Sequence, residues 1–135
     1  MRYASTLVLS VVGIVAAAVA ASAQYIYEFP MLQAEQAAGR KIFNDHCAAC
    51  HTQKTFAPSL QGVVGRQAGS LAGFPYSDAL KNSGLAWTED NLRKWIADNT
   101  HTVPNTRMPH VSITDPAEQI YLLAYLKSLK GSKAH

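Results

Sequence analysis

Two cysteines, Cys47 and Cys50, are separated by two alanines and followed at once by His51. They are the only cysteines in the chain. A disulfide between such close neighbours closes almost no loop entropy, so the pair cannot serve to staple a fold. Its purpose is chemical. Cys-Ala-Ala-Cys-His has the spacing at which two thiols reach the two vinyl groups along one haem edge while the next imidazole projects toward the iron. Other readings fit less well. A redox-active dithiol sits in a βαβ setting, and no such alternation surrounds this pair. A zinc site needs two further ligands at suitable spacing, and no other cysteine is present. A pair of buried cysteines brought together by chance is the remaining alternative. The expectation is one covalently attached haem c, with His51 as an axial ligand.

The second axial position needs a soft or imidazole donor from elsewhere in the chain. Outside the first 23 residues only Met31 and Met108 carry thioethers. Met108 lies between Arg107 and Pro109, beyond a Pro104-Asn105-Thr106 turn, in a polar loop rather than on an apolar helix stripe. Such a loop can fold over the haem face opposite His51, and Met108 is the expected ligand. His101 and His110 offer bis-histidine ligation instead, and an open position is the third alternative. A His/Met pair raises the potential and fills both axial sites, which suits electron transfer and blocks substrate binding. His46 reads as a solvated helix residue and His135 as part of a tail.

The elements that must position these groups read as all-helical. Residues 33–46 form one expected helix, with Ala34, Ala37, Ala38 and Phe43 available for a packed face. Residues 52–73 are punctuated by Pro58, Gly62, Gly65, Gly69 and Gly73 and read as loop. Ser77 can cap a short helix that stops at Gly84, and Thr88 can cap a second over residues 89–98, whose acidic first turn suits the helix dipole. The last helix has Asp115 as N-cap, Pro116 at N1 and Glu118 at N3, an apolar face through Ile120, Tyr121, Leu123, Ala124 and Leu126, and Gly131 at its end. Three or four helices joined by loops this long make sense in a small domain if the loops wrap a cofactor.

The chain has 135 residues, enough for one domain. Hydrophobic residues make up 48%, much of that share lying in the first twenty-odd positions, so the remaining domain has a thin core that a large apolar cofactor would complete. A formal charge of +3 without Lys/Arg clusters excludes a nucleic-acid footprint. Met1 and Arg2, the apolar run 7–21 and Ala21-Ser22-Ala23 form an export signal with cleavage before Gln24. Residues 3–22 could equally serve as an uncleaved anchor, since about 20 residues cross a bilayer. The organisation expected is a signal or anchor over 1–23, a short linker over 24–32, a haem domain over 33–131 and a tail over 132–135. Either way the globular part is exported, periplasmic or tethered to the inner membrane.

From about Glu35 to Lys130 the chain resembles the class I c-type cytochromes, in particular the mitochondrial-like branch found also in alphaproteobacteria. The resemblance rests on GRKIF before CAACH, on PSLQGVVGRQAG, GFPYSDALKNSGLAW and VPNTRM, and on YLLAYLKSLK. It implies the cytochrome c fold, with Gly39 and Phe43 packed against Leu122 and Tyr125. It further implies that the Pro58 carbonyl accepts a hydrogen bond from His51 Nδ1. Arg66, Tyr76, Trp87 and Thr106 fall where the family places groups beside the haem propionates, and Met108 falls on the iron. Without the family, Trp87 would read as core.

The chain departs from that pattern in several places. Ala57 and Asn105 stand where the family usually has glycine, though asparagine tolerates positive φ. The loop from His51 to Pro58 is short. His110 replaces an aromatic, and basic residues near the expected docking face are few: Lys54, Lys81, Arg107 and Lys94. The function implied is one-electron transfer between redox proteins, from a quinol-oxidising complex or dehydrogenase to a terminal oxidase or reductase, without catalysis by the chain itself. A fixed haem subunit of a membrane oxidoreductase complex is the alternative. A peroxidase or gas sensor with an open iron site is the reading from a different class.

Overall fold

The computed structural model describes residues 28, 30–53 and 55–130. The chain divides into two units, residues 1–34 and 35–135. Of the first, residues 30–34 are helical and exposed, so the helix begins within the stretch expected to be linker. The expected signal or anchor over 1–23 and the tail over 132–135 lie outside the described residues. Among the described residues no helix is long and apolar enough to cross a membrane.

The second unit is all-helical. Its elements are α1 (30–46, of which 35–46 belong to this unit), α2 (Ala48–His51), α3 (Asp78–Lys81), α4 (Glu89–Ala97), α5 (Asn99–Thr102) and α6 (Pro116–Ser128). Caps mark most of the starts. Ser77 accepts from Leu80 N, Thr88 from Asn91 N, and Asp115 from both Ala117 N and Glu118 N, each satisfying donors that the first helical turn leaves free. Replacing Asp115 by alanine is expected to cost about 1 kcal/mol. A drop in the thermal midpoint of the haem-loaded protein would register it, and an unchanged midpoint would deny the cap its role.

Two helix faces differ from expectation. Ala34 and Ala37 are exposed, and the packed stripe of α1 runs through Gly39 and Phe43 with Ile42 beside them. Alanine is indifferent to its surroundings, whereas Phe43 has a ring to bury, and the ring decides which way the helix faces. On α6 the buried residues are Leu122, Leu123, Ala124 and Leu126, while Ile120 is left 45% exposed. α6 ends at Ser128, before Gly131. The four-residue α5 was not expected, because Asn-Thr-His-Thr has poor helix propensity; Asp98 nucleates it by accepting from His101 N at 2.8 Å.

α1 crosses α6 at Gly39. A Cβ there would run into the Tyr121 carbonyl and come within 2.9 Å of Tyr125 Cβ, so the helices meet backbone to backbone. Phe43 and Tyr125 pack beside the crossing with ring centroids 5.2 Å apart. Leu122 is 1% exposed and Phe43 is buried, as the resemblance implied. α4 packs on α5 and α6 and contributes Leu92, Trp95 and Ile96 to the core. One short antiparallel pairing joins the loops. Ala68 N donates to Leu85 O and Trp87 N to Arg66 O, with Gln67 and Ala86 forming the bridge. Gly69 (φ +72) follows, where a Cβ would approach Lys81 Cα to 2.9 Å, so the loop lies directly against α3.

Candidate functional site

The core is not solid. A cavity of about 560 Å³ lies among Leu80, Leu92, Trp95, Ile96, Leu122 and Leu126 and opens between the loops. That volume is in the range of pockets for organic ligands. Its walls are mostly apolar, and the polar groups that reach it come from the chemistry-bearing segments singled out above.

One wall is built by the end of α1 and by α2. Cys47 continues α1, its N–H donating to Phe43 O at 2.8 Å, and then serves as N-cap of α2; His51 N returns to Cys47 O at 2.9 Å. This single turn brings Cys47, Cys50 and His51 to the cavity. Both thiols are free, Cys47 half-buried and Cys50 exposed. Burial, with a smaller contribution from Cys50, pushes the Cys47 thiol up to about 11. His51 Nδ1 lies 2.9 Å from the Pro58 carbonyl. A carbonyl only accepts, so Nδ1 carries the proton and Nε2 keeps its lone pair. Burial lowers the imidazole below its ordinary pKa, and the Pro58 bond pulls partly against it.

Met108, Thr106 and Arg107 reach the same cavity. They follow Asn105, whose φ of 65° turns the chain in the left-handed conformation that glycine would otherwise supply. Ala57, the other departure at a glycine position, is buried and lines the cavity with Pro58. His101 and His110 are exposed, and neither lines the cavity; His110 Nδ1 instead lies 3.3 Å from Thr100 Oγ1. His46 is exposed at the rim.

Arg66, Tyr76 and Trp87 also border the cavity. Arg66 spends its terminal nitrogens on the chain, donating to Gln61 O and Ser59 O at 3.0 Å each. Its Nε is buried without a partner, the one such side-chain atom among the described residues. A buried N–H of a guanidinium left unsatisfied is costly, and an anionic group entering the cavity would satisfy it. Tyr76 stacks edge-on with Phe74 at 4.8 Å, and burial raises its phenol while the Arg66 charge pulls the other way. Trp87 meets Trp95 edge-on at 5.1 Å. Leu92, Trp95 and Ile96 were not singled out from sequence as cavity residues, although their i, i+3, i+4 spacing marks one face of α4. Nor was Asn99, the buried carboxamide behind the Met108 strap.

Residues 36–130 match the cytochrome c family. The chain belongs to it. A cytochrome c2 iso-2 of Magnetospirillum fulvum is 44% identical over 87 residues, covering 62% of this chain and 91% of that protein. A cytochrome c2 of Blastochloris viridis is 36% identical over 111 residues, covering 77% of this chain and 87% of its own. Among solved structures, cytochrome cH from Methylobacterium extorquens superposes with a TM-score of 0.64 at 43% identity, over 68% of this chain and 96% of that one. The chain is thus a class I c-type cytochrome, an electron carrier with one covalent haem c, and Cys47 and Cys50 fit its attachment motif. The donor set suits that group: two free thiols, an imidazole with a free Nε2 and an unsatisfied cationic N–H surround one apolar cavity.

Proposed function

We propose that this cytochrome c-family protein carries single electrons in a respiratory or other periplasmic chain, with haem tethered by Cys47 and Cys50 and ligated by His51 and Met108. The observation that supports the ligand pair is that both side chains line one cavity although 57 positions separate them in the sequence, while His101 and His110 line none of it. When bound, haem c supplies a one-electron couple between Fe(II) and Fe(III). The rest is the work of the chain. Pro58 orients His51 and holds its tautomer, so the basic Nε2 is the atom offered to the cavity. Arg66 Nε is offered to carboxylates at the rim, joined by Tyr76, Trp87 and Thr106. Leu92, Trp95, Ile96 and Leu122 keep water from the interior, which lowers the reorganisation that accompanies a change of charge. Cys50 and the exposed Phe56 stand at the mouth, where a redox partner can approach. Such a partner is a donor of the quinol-oxidising or dehydrogenase type, or an acceptor of the oxidase or reductase type. The apolar run 7–21 and the Ala21-Ser22-Ala23 site support export to the periplasm.

The test is the visible spectrum of the ferric protein followed by reduction under carbon monoxide. The wild type should show the weak far-red band of thioether ligation and resist carbon monoxide. Met108→Leu should keep its haem, lose the band, bind carbon monoxide and lower the potential by on the order of 0.1 V. Rapid carbon monoxide binding by the wild type, with no far-red band, would move the open-site reading to the front.

A further inference from the structure

Asn99 is the only buried polar residue among the described residues, with 0% exposure. It opens α5, and the carboxamide spends itself almost entirely on one short segment. Nδ2 donates to the Met108 carbonyl and to the Pro109 carbonyl, each at 3.0 Å, and Oδ1 accepts from Val111 N at 3.0 Å. Three of the four hydrogen-bonding positions of one side chain thus serve residues 108–111. That segment has no regular secondary structure; Met108 and Val111 are half-buried and Pro109 and His110 exposed, so Asn99 is what ties its backbone to the interior. Asn99 does for it what a neighbouring strand does in a sheet.

The anchoring is rigid at its other end. Asp98 caps α5, and Val103 N donates to Asn99 O at 3.0 Å. α4 lies immediately before and gives Trp95 and Ile96 to the cavity wall; Ile96 O also takes the N–H of Ile113 at 2.8 Å. The position of the Met108 backbone is therefore referenced to the helix that forms the wall, through a chain of hydrogen bonds and not through packing alone. On the upstream side the Asn105 turn, the bond from Thr106 N to Val103 O and the burial of Val103 restrain it.

We propose that Asn99 is the positioning residue for Met108: its carboxamide holds the strap at the depth that keeps the thioether in the cavity. This rests on the reading of Met108 as the second axial ligand. Alanine at 99 removes all three bonds. Glutamine keeps the donors and the acceptor but, one methylene longer, displaces the strap. Each changes where Met108 stands without touching its side chain.

The experiment compares full-length, haem-loaded Asn99→Ala, Asn99→Gln, Met108→Leu and Asp115→Ala with the wild type. The readouts are the ferric far-red band, the rate of carbon monoxide binding to the ferrous protein and the thermal midpoint. Asn99→Ala should retain covalent haem, lose more than about half of the band and bind carbon monoxide roughly tenfold faster or more, as the loss of buried hydrogen bonds frees the strap. Asp115→Ala, which removes the cap of α6, whose side-chain bonds go to Ala117 N and Glu118 N and not to 108–111, should lower the midpoint and leave band and rate alone. A wild-type band and rate in Asn99→Ala, beside a Met108→Leu that abolishes the band, overturns the positioning role while leaving the ligand standing. A band that survives in Met108→Leu overturns the ligand assignment and with it the proposal. If Asn99→Ala does not fold, Asn99→Gln decides: a weakened band and faster binding support the proposal, and wild-type behaviour overturns it. An equal loss of band in Asp115→Ala would reduce the effect to general destabilisation and also overturn it.

Discussion

With Cys47 and Cys50 both changed to serine, all haem is expected to leave the protein on extraction with acidified solvent, where the wild type retains it through denaturation. The two thiols sit on one turn that follows α1 directly and ends at His51, so serine disturbs little of the backbone. The hydroxyls cannot form the thioether links, and the change is from complete covalent retention to none. The cavity would still offer its apolar walls and the unsatisfied Arg66 Nε, so some haem is expected to bind loosely before extraction. Single variants separate the two sulfurs. Cys50 is exposed, and its loss should cost attachment with little stability, whereas Cys47 is half-buried and packs against the core. Haem that stays with the double variant after extraction would sink the assignment of these two residues.

The second large effect is on folding. Helix propensity alone favours Gly39→Ala by about 1 kcal/mol. At this crossing the added methyl group meets the Tyr121 carbonyl and Tyr125 Cβ, neither of which is the yielding end of a flexible side chain. Overpacking of that kind costs about 1–3 kcal/mol and occasionally more, and the crossing has to open for a single methyl. The clash outweighs the propensity. Denaturant titration of haem-loaded Gly39→Ala should show a loss of about 2 kcal/mol or more, with Gly39→Val worse. A stabilised Gly39→Ala would mean that α1 and α6 do not approach this closely.

What could be read in the residues divides along physical lines. The attachment motif was legible because two thiols and an imidazole must lie close together in the chain to reach one haem edge and its iron. The caps at Ser77, Thr88 and Asp115 were legible because each side chain acts within three residues of itself. Phe43 could be set on a packed helix face from its ring alone, its pairing with Leu122 and Tyr125 follows from resemblance, and the Gly39 contact explains why a glycine is needed among them. The hydrogen bond from His51 to Pro58 also came from resemblance, and its geometry is present. Asn99 was not legible. Its partners lie nine to twelve residues away in a segment without periodicity, and a buried asparagine in sequence looks like any surface one. The pairing of 66–68 with 85–87 left no alternating pattern, being a single bridge. Ala34 and Ala37 were assigned to a packed face that Gly39 and Phe43 occupy, because small apolar residues mark neither side of a helix.

The Gly39 crossing has a further consequence for how the family can vary. It acts as a buckle between the first and last helices, with residues 40–120 as the belt it closes. Closing a flexible belt of that length costs on the order of 4 kcal/mol in chain entropy, and the cost grows only with the logarithm of length. Doubling a flexible loop adds about 0.6 kcal/mol, a fraction of what one misplaced methyl group costs at the buckle. A segment such as 52–57 could therefore lose or gain residues at little cost to the crossing. The clasp at Gly39 and the His51–Pro58 bond, by contrast, fix geometry that loop length cannot replace.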